Sequence, residues 1–397
     1  MMLPLEGVRV VAVEQYGAGP FGTMQLADLG AEVVKVENIA EGGDVGRYVR
    51  HPKDPLPEGD SLFFQAFNRN KKSLALDLKQ QAGREVLHDL VRSADGLLDN
   101  LRGDRPAKLG LTYEALKAVN PAIVCVHLSA YGSEGPRAAW PGYDYLMQAE
   151  AGYLSVTGEP DTPPARMGLS MVDLATGVQA ALAMTSGILA ARAGGRGMDL
   201  DVSLYDTAMS NLGYLACWYL TAGVVQGREP RSSHPNLTPS QLYRTRDGWL
   251  FIMCNKEKFW GELVDALGRP EWKDDPRFRD FAARLAHRET VTEMLDEALS
   301  AKTTAEWLEA LQGRVPVAPV NDIASAMDAP FPTETGRHLW VEHPSGRRVG
   351  SVGPPIRTGA PPPARPAPVM GTDTDELLGG LGYSPEKIAR LRAAKVV

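Results

Sequence analysis

Residues 7–37 read Gly7-Val-Arg-Val-Val-Ala-Val-Glu-Gln-Tyr-Gly-Ala-Gly-Pro-Phe-Gly-Thr-Met-Gln-Leu-Ala-Asp-Leu-Gly-Ala-Glu-Val-Val-Lys-Val-Glu37. Two valine-rich apolar runs, 7–13 and 31–36, flank a glycine-rich turn and the helix-forming segment 20–29. Runs of this length and composition favour strands, and strand–helix–strand predicts two parallel strands joined by a right-handed crossover. This stretch therefore indicates an α/β fold.

The alternation continues through the N-terminal half and changes after Gln226. In the first half we predict strands over 73–78, 96–99 and 123–128 and helices over 83–93 and 113–119. Beyond it we predict a strand over 249–253 and charged helices over 256–267, 281–299 and 305–311. The segment 354–368 holds seven prolines in fifteen residues, which favours an extended crossing segment. Two C-terminal helices, 373–381 and 385–394, are expected after it.

Composition narrows the class of protein. The chain has 397 residues and a formal net charge of −7, with scattered lysines and arginines, so neither nucleic acid nor an anionic membrane is expected as a partner. Three widely spaced cysteines favour a reducing, cytoplasmic compartment. The histidines show no metal-binding spacing, and no metal is expected. The uncharged run 208–225 is expected to be a buried helix rather than a membrane span.

Two glycine- and lysine-containing stretches could hold a nucleotide. Gly17-Ala-Gly-Pro-Phe-Gly22 matches a dinucleotide fingerprint, and Glu37 stands where a ribose-binding acid would be expected. Pro20 removes an N–H from the first helical turn, which favours a different anion- or nucleotide-approach loop. The pair Lys71-Lys72, beside an alternating leucine strand, is either a phosphate clamp or a solvated turn.

Asp173 lies in Gly168-Leu-Ser-Met-Val-Asp-Leu-Ala-Thr-Gly177, just before the uncharged, alanine-rich run 174–191. That run predicts a buried helix. An aspartate at such a helix start is most simply an N-cap, and the helix dipole there favours an ionised carboxylate of low pKa. An ionised carboxylate shielded from water is also a usable nucleophile. The residues alone leave both roles open, with the cap the commoner.

In their order and spacing, these and other short stretches resemble the class III CoA-transferases, the formyl-CoA and carnitine/bile-acid CoA-transferase group. The resemblance covers essentially the whole chain. The matching stretches are 5–10, 18–20, 29–37, 68–73, 76–79, 109–111, 120–121, 142–144, 148–149, Asp173 with 176–177, 195–197 and 202–206.

The resemblance implies a CoA-transferase that moves CoA from an acyl-CoA donor to a carboxylic acid acceptor, with Asp173 as the catalytic nucleophile. An aspartyl–acyl anhydride and then an aspartyl-CoA thioester are the implied intermediates. The implied CoA contacts are Gly17 and Ala18 near the thioester, Leu76 and Lys79 beside the adenine, Lys108 toward the phosphates and Tyr143 along the pantetheine channel. Coenzyme A and acyl-CoA enter as substrates, and no tightly bound cofactor is expected.

The resemblance also implies an architecture. We expect a Rossmann-like large domain that begins with 1–225, a smaller α/β domain over 226–325, and a return segment over 326–397 that completes the large domain. An interlocked homodimer is expected. Five arginines could pair with a second carboxylate and favour a dicarboxylic donor such as succinyl-CoA: Arg47, Arg50, Arg166, Arg228 and Arg231.

Two departures and two alternatives accompany this resemblance. The glycine run of the formyl-CoA enzymes is missing between Gly227 and Gly248, and Asn38 replaces a basic residue, so the acids exchanged stay open. α-Methylacyl-CoA racemases belong to the same superfamily, but they carry a histidine where this chain has Tyr143. Tyrosine is a poor acid–base group at neutral pH, which favours the transferase. A non-catalytic CoA-ester-binding protein is the second alternative.

Overall fold

The computed structural model describes residues 2–397. Its strands are β1 Arg9–Val13, β2 Glu32–Glu37, β3 Lys72–Ala75, β4 Gly96–Asp99, β5 Val124–Ser129, β6 Met198–Ser203, β7 Ser240–Arg244, β8 Trp249–Met253, β9 Val317–Pro319, β10 His338–Glu342 and β11 Arg348–Val352. Its helices are α1 Ala18–Asp28, α2 Leu62–Asn68, α3 Gln81–Val91, α4 Pro106–Leu109, α5 Tyr113–Leu116, α6 Asp144–Glu150, α7 Met171–Gly194, α8 Leu204–Asn211, α9 Tyr214–Ala222, α10 Glu257–Ala266, α11 Phe281–Ala286, α12 Arg288–Leu299, α13 Thr304–Leu311, α14 Ile323–Asp328, α15 Pro330–Glu334, α16 Thr374–Gly380 and α17 Pro385–Ala393.

The described chain forms two compact units. The first comprises the chain through Ala151 together with Gly168–Gly213 and Pro332–Val397, and the second comprises Gly152–Met167 and Tyr214–Phe331. The domain limits inferred from the sequence, with a boundary at 225/226, stay a prediction.

The first unit is built on a parallel sheet of six strands in the order β3-β2-β1-β4-β5-β6. The order reverses between β1 and β4, the arrangement of a doubly wound sheet, in which ligands bind beyond the carboxyl ends of the strands at the switch point. The α/β fold predicted from residues 7–37 is confirmed.

Both faces of this sheet are covered. On one face, Cys125 belongs to a core that includes residues of α3, α16 and α17. Its neighbour Val124 points the other way, as alternate strand residues must, and lies against Gly187 of α7. Within residues 2–397, α7 alone has the length and apolar composition of a membrane span. Its packing against β5 is that expected of a core helix.

A buried histidine joins three neighbouring strands of the sheet. His127 of β5 lies 2.6 Å through Nδ1 from Asp99 of β4 and 2.9 Å through Nε2 from Asp199 of β6. Hydrogen bonds to these two carboxylates raise the pKa of His127 to about 10, even though burial opposes its charge. The protonated ring therefore satisfies a carboxylate on either side.

The second unit contains the antiparallel sheet β7-β8-β9, of which the sequence predicted only β8. Its core combines this sheet with residues of α10, α12 and α13. Arg284 is fully buried and donates to the carbonyls of Thr238 and Phe278 and to the carboxylate of Glu257, at 2.8–3.0 Å. These bonds satisfy a guanidinium that would otherwise be costly to bury.

Two helix predictions are wrong. The helix expected over 281–299 is interrupted at His287, which separates α11 from α12. The run 208–225 is not one buried helix: it divides at Gly213 between α8 and α9, and no residue of α9 is buried. Apolar composition alone cannot distinguish a buried helix from an exposed apolar one. The segment 354–368 has no helix or strand, as predicted.

Candidate active site

A cavity of about 620 Å³ lies at the carboxyl ends of the sheet strands, within the first unit. It is lined by residues at or just after the carboxyl ends of all six strands: 13–18 at β1, 36–38 at β2, 76–79 after β3, 100–102 after β4, 128–130 at β5 and Leu204 after β6. Asp173, at the start of α7, also lines it. Its volume is within the usual range for a small-molecule or cofactor site.

Asp173 is in the first turn of α7 and only 9% exposed. The helix begins at Met171, three residues earlier than expected, and the side chain of its N-cap residue, Ser170, makes no capping hydrogen bond. Among residues 2–397, no group donates a hydrogen bond to the Asp173 carboxylate. The N-cap role predicted for Asp173 is therefore wrong.

The acid that caps α7 is Asp144, which is 3% exposed and lies on α6. Its Oδ2 accepts from the backbone N–H groups of Val172 at 2.7 Å and Asp173 at 3.0 Å. Its Oδ1 accepts from the side-chain amide of the fully buried Gln148 at 2.6 Å. A carboxylate 28 residues upstream thus occupies the position that stabilises negative charge at this helix start.

The same arrangement determines the charge of Asp173. Burial raises the pKa of Asp173 from its ordinary 3.8 to about 7, and the nearby Asp144 carboxylate adds to the rise. The low pKa predicted from the helix dipole is wrong because Asp144 takes the helix N–H groups, while Asp173 is buried without donors. Asp173 is therefore half ionised near neutral pH, where perturbed carboxylates commonly serve catalysis.

The loop after β1 faces Asp173. A Cβ atom built on Gly17 would lie 3.0 Å from Asp173 Oδ2, so glycine allows this backbone to approach the carboxylate. Among residues 2–397, the backbone N–H groups of Gly17, Ala18 and Gly19 have no hydrogen-bond acceptor. They point out of the first turn of α1, an arrangement suited to an anion or oxyanion.

Buried ion pairs support the loop after β1. Lys71 donates to Glu14 at 2.8 Å, and Lys35 lies 2.8 Å from Asp44. All four side chains are buried. Lys71 is therefore not free to clamp a phosphate. Its neighbour Lys72 pairs with Glu32 and Glu376, so the clamp interpretation of this pair is wrong.

Two hydrogen bonds also hold the loop after β1 against the residue that follows β4, at the switch point. The side-chain amide of Asn100, which directly follows β4, accepts from Gln15 N at 2.9 Å and donates to Gln15 O at 2.6 Å. Sequence reasoning missed this residue, although an asparagine immediately after a buried strand was a usable signal.

Close packing of two helices sets the distance between the loop and the acid. A Cβ on Gly22 of α1 would lie 2.5 Å from the carbonyl oxygen of Gly177, and one on Gly177 would lie 2.5 Å from the carbonyl oxygen of Ala18. The third glycine of the fingerprint therefore serves helix–helix contact. Glu37, the supposed ribose acid, is held by Arg47 through two hydrogen bonds of 2.6 and 2.8 Å.

The structure brings together most of the residues predicted to contact CoA. Gly17, Ala18, Leu76, Lys79 and Tyr143 all line the cavity with Asp173. The exception, Lys108, lies outside the lining and pairs with Asp104 at 2.5 Å. The roles of all seven residues stay predictions.

Sequence reasoning missed two basic residues of the lining, Arg102 and Arg105. Both are exposed and follow β4 within six residues, in Asn100-Leu-Arg-Gly-Asp-Arg105. Arginines directly after a strand of a parallel sheet were the available signal. Lys79 pairs with Glu41 at 2.9 Å, and the charge of Arg105 slightly opposes the raised pKa of Lys79, so these two cations lie near each other.

The arginines expected to bind a second carboxylate are engaged elsewhere. Arg47 is buried against Glu37, and Arg50 donates to backbone carbonyls that include that of Pro57 at 2.6 Å. The other three arginines belong to the second unit. Arg166 donates to the carbonyl of Met167, Arg228 donates to the carbonyls of residues 160, 162 and 163, and Arg231 donates to the carboxylate of Asp296. None of the five lines the cavity.

Fold and site together define a doubly wound α/β protein with a cofactor-sized cleft at its switch point and a buried carboxylate beside free backbone donors. Residues 5–374 match CoA-transferase family III, and the chain belongs to this family. It is a class III CoA-transferase, as the order of motifs predicted. Among residues 2–397, no cluster of three or more His, Cys, Asp or Glu residues could hold a metal ion.

Named relatives cover nearly the same length. The succinate–glutarate CoA-transferase of Agrobacterium fabrum is 32% identical over 95% of this chain and 96% of the relative. The acetyl-CoA:oxalate CoA-transferase of Acetobacter aceti is 34% identical over 85% of this chain and 86% of the relative. A crystal structure of a CAIB/BAIF family protein from Brucella suis superimposes with a TM-score of 0.81 at 31% identity, covering 96% of this chain and all of that chain.

Proposed function

We propose that this enzyme moves CoA from a dicarboxylic acyl-CoA to a second carboxylic acid, with Asp173 as the nucleophile. The observation that carries the proposal is the buried Asp173 carboxylate, which receives no hydrogen bond from residues 2–397 and lies beside N–H groups of Gly17 and Ala18 that have no acceptor within the same residues. A poorly solvated carboxylate is a strong nucleophile, and the N–H groups suit the oxyanion that its attack creates.

The proposed reaction has four steps. Asp173 attacks the donor thioester carbonyl, the C–S bond breaks, and an aspartyl–acyl anhydride and CoA thiolate result. The thiolate attacks the Asp173 carbonyl of the anhydride, which releases the donor acid and leaves an aspartyl-CoA thioester. The acceptor carboxylate attacks this thioester and releases the thiolate again. The thiolate then takes the acceptor acyl group and frees Asp173.

Substrate orientation follows from the charges of the cavity. Arg102, Arg105 and Lys79 stand on the loops after β4 and β3 and would meet the CoA phosphates. Leu76 and Leu78 supply an apolar surface near Lys79 for the adenine. Succinyl-CoA is the first donor to test, because the names of relatives include succinate, glutarate and mesaconate as acids.

Chemical trapping tests the nucleophile. The enzyme is incubated with succinyl-CoA, glutaryl-CoA or acetyl-CoA, then treated with hydroxylamine or borohydride, and the modified peptide is mapped by mass spectrometry. We expect the adduct on Asp173 and no transfer by Asp173→Asn. Asp161→Asn, which changes an exposed aspartate outside the cavity, is the matched control and should retain transfer. Absence of an adduct with every donor, together with full activity of Asp173→Asn, would contradict the proposal.

We also propose that the enzyme is a homodimer. Apolar side chains are exposed along two helices: Val178, Leu182 and Leu189 on α7 and Tyr219 and Leu220 on α9. Exposed apolar patches of this kind mark association surfaces. Sedimentation or mass photometry at micromolar and nanomolar concentration should show a dimer, and a monomer throughout would refute this.

A further inference from the structure

Tyr16, between β1 and Gly17, has an unusual backbone conformation. Its φ of 71° lies in the left-handed region, which a bulky aromatic residue seldom adopts. The conformation is held by Asp44, whose Oδ1 accepts from Tyr16 N at 2.8 Å and whose carboxylate is fixed by the buried Lys35. A strained residue that its surroundings hold in place indicates a functional constraint on its side chain.

The ring of Tyr16 is also held. Its centroid lies 5.1 Å from that of Phe63 and 6.3 Å from that of Tyr143, the latter edge-on. The side chain lines the same cavity as Asp173 and remains 37% exposed there. Its hydroxyl has no hydrogen-bond partner among residues 2–397. The phenol is thus positioned toward the cavity with its donor free.

The charges around Asp173 are consistent with a neutral hydrogen-bond donor, such as the Tyr16 hydroxyl, contacting the substrate there. Burial and the charge of Asp144 raise the pKa of Asp173, and no basic side chain is among the causes of its shift. The two arginines of the lining, Arg102 and Arg105, stand on the loop after β4, among the cations proposed to meet the CoA phosphates. Burial and the charge of Asp173 raise the pKa of Tyr16, which keeps its hydroxyl protonated at neutral pH.

We propose that the Tyr16 hydroxyl donates a hydrogen bond to the distal carboxylate of the acyl group that Asp173 carries, and that Tyr16 thereby selects dicarboxylic over monocarboxylic acyl groups. The inference rests on the proposed transferase function and adds the residue that recognises the substrate. Tyr16 is then a specificity-determining residue on a backbone held rigid by Asp44.

The test compares two donors of equal chain length, succinyl-CoA and butyryl-CoA, with one acceptor acid. Tyr16→Phe keeps the ring and removes the hydroxyl. We expect kcat/KM with succinyl-CoA to fall about tenfold to hundredfold, the range for a hydrogen bond to a charged group. With butyryl-CoA it should change less than about twofold, because no distal carboxylate is present. The Kd for free CoA should stay unchanged, which a merely misfolded variant would not show.

Tyr113→Phe is the matched control, since Tyr113 also loses a phenol hydroxyl but lies outside the cavity lining. It should behave as wild type with both donors. An equal loss on both donors, no loss on succinyl-CoA, or a wild-type preference for butyryl-CoA would each overturn the role of Tyr16. Failure of the wild type to form any Asp173 adduct would instead refute the transferase mechanism on which the inference rests.

Discussion

Replacing the proposed nucleophile should make the protein more stable. Asp173 is buried, and its pKa of about 7 lies well above the ordinary 3.8. A folded state that raises the pKa of an acid disfavours its ionised form, so wild-type stability falls as pH rises from about 4 and levels off above about 7. The neutral, isosteric Asp173→Asn carries no such penalty.

The magnitude follows from the pKa values. The rise from 3.8 to about 7, at about 1.36 kcal/mol per pKa unit, corresponds to a penalty of about 4 kcal/mol above neutrality. At pH 5 the penalty reflects only the interval between the ordinary pKa of 3.8 and pH 5, and it is about 1.5 kcal/mol. Asp173→Asn should therefore gain about 1.5 kcal/mol at pH 5 and up to about 4 kcal/mol at pH 8 in the free energy of unfolding.

Urea unfolding at both pH values, at matched protein concentration, measures this difference. Asp161→Asn removes an exposed carboxylate and should match the wild type at both. A variant at position 173 that is less stable than wild type at pH 8, or whose advantage is equal at pH 5 and pH 8, would refute the reasoning.

Three further predictions concern other parts of the site and sheet. The acid limb of the pH profile of kcat/KM should lie near pH 7. Asp144→Asn keeps an acceptor for the α7 amides but loses the charge, so it should move this limb toward lower pH. An unmoved limb would exclude charge coupling between Asp144 and Asp173. Gly177→Ala should lose about 1–3 kcal/mol by overpacking and also lower kcat, while Gly194→Ala, where a Cβ meets nothing within 4 Å, should do neither in the same urea and kinetic assays. The raised pKa of His127 stabilises the fold below pH 6.5 and loses this effect as pH rises through about 10. His127→Gln should therefore cost about 3–5 kcal/mol at pH 6 because Asp99 stays buried without its charged partner, and a loss in urea unfolding that does not shrink by pH 10 would contradict this.

The sequence predicted what depends on neighbours along the chain. Valine-rich runs separated by helices identified the parallel sheet, and the ordered motifs identified the family. Periodicity failed where an element depends on distant packing. The exposed helix α9 and the strands β7 and β9 belong to this group, because exposure and strand pairing are tertiary properties.

The site shows the same division. The position of Asp173 at a helix start was predictable from the apolar run that follows it. Its charge was not, because its pKa depends first on burial and then on Asp144, and both arise only when α6 and the rest of the fold pack around α7. The phosphate clamp predicted at Lys71 was wrong for the same reason, because nothing in the local sequence shows that Glu14, 57 residues away, neutralises this lysine. Free and paired charges look alike in a sequence.

The carboxylate of Asp144 has one more consequence, for the order in which the site assembles. Local contacts alone do not fix the first turn of α7, because its amides at Val172 and Asp173 bond to a residue on another helix. Their hydrogen exchange with solvent should thus be slow only while α6 is docked. These two amides report, residue by residue, whether the nucleophile is in place, and they do so in a resting enzyme with no substrate present.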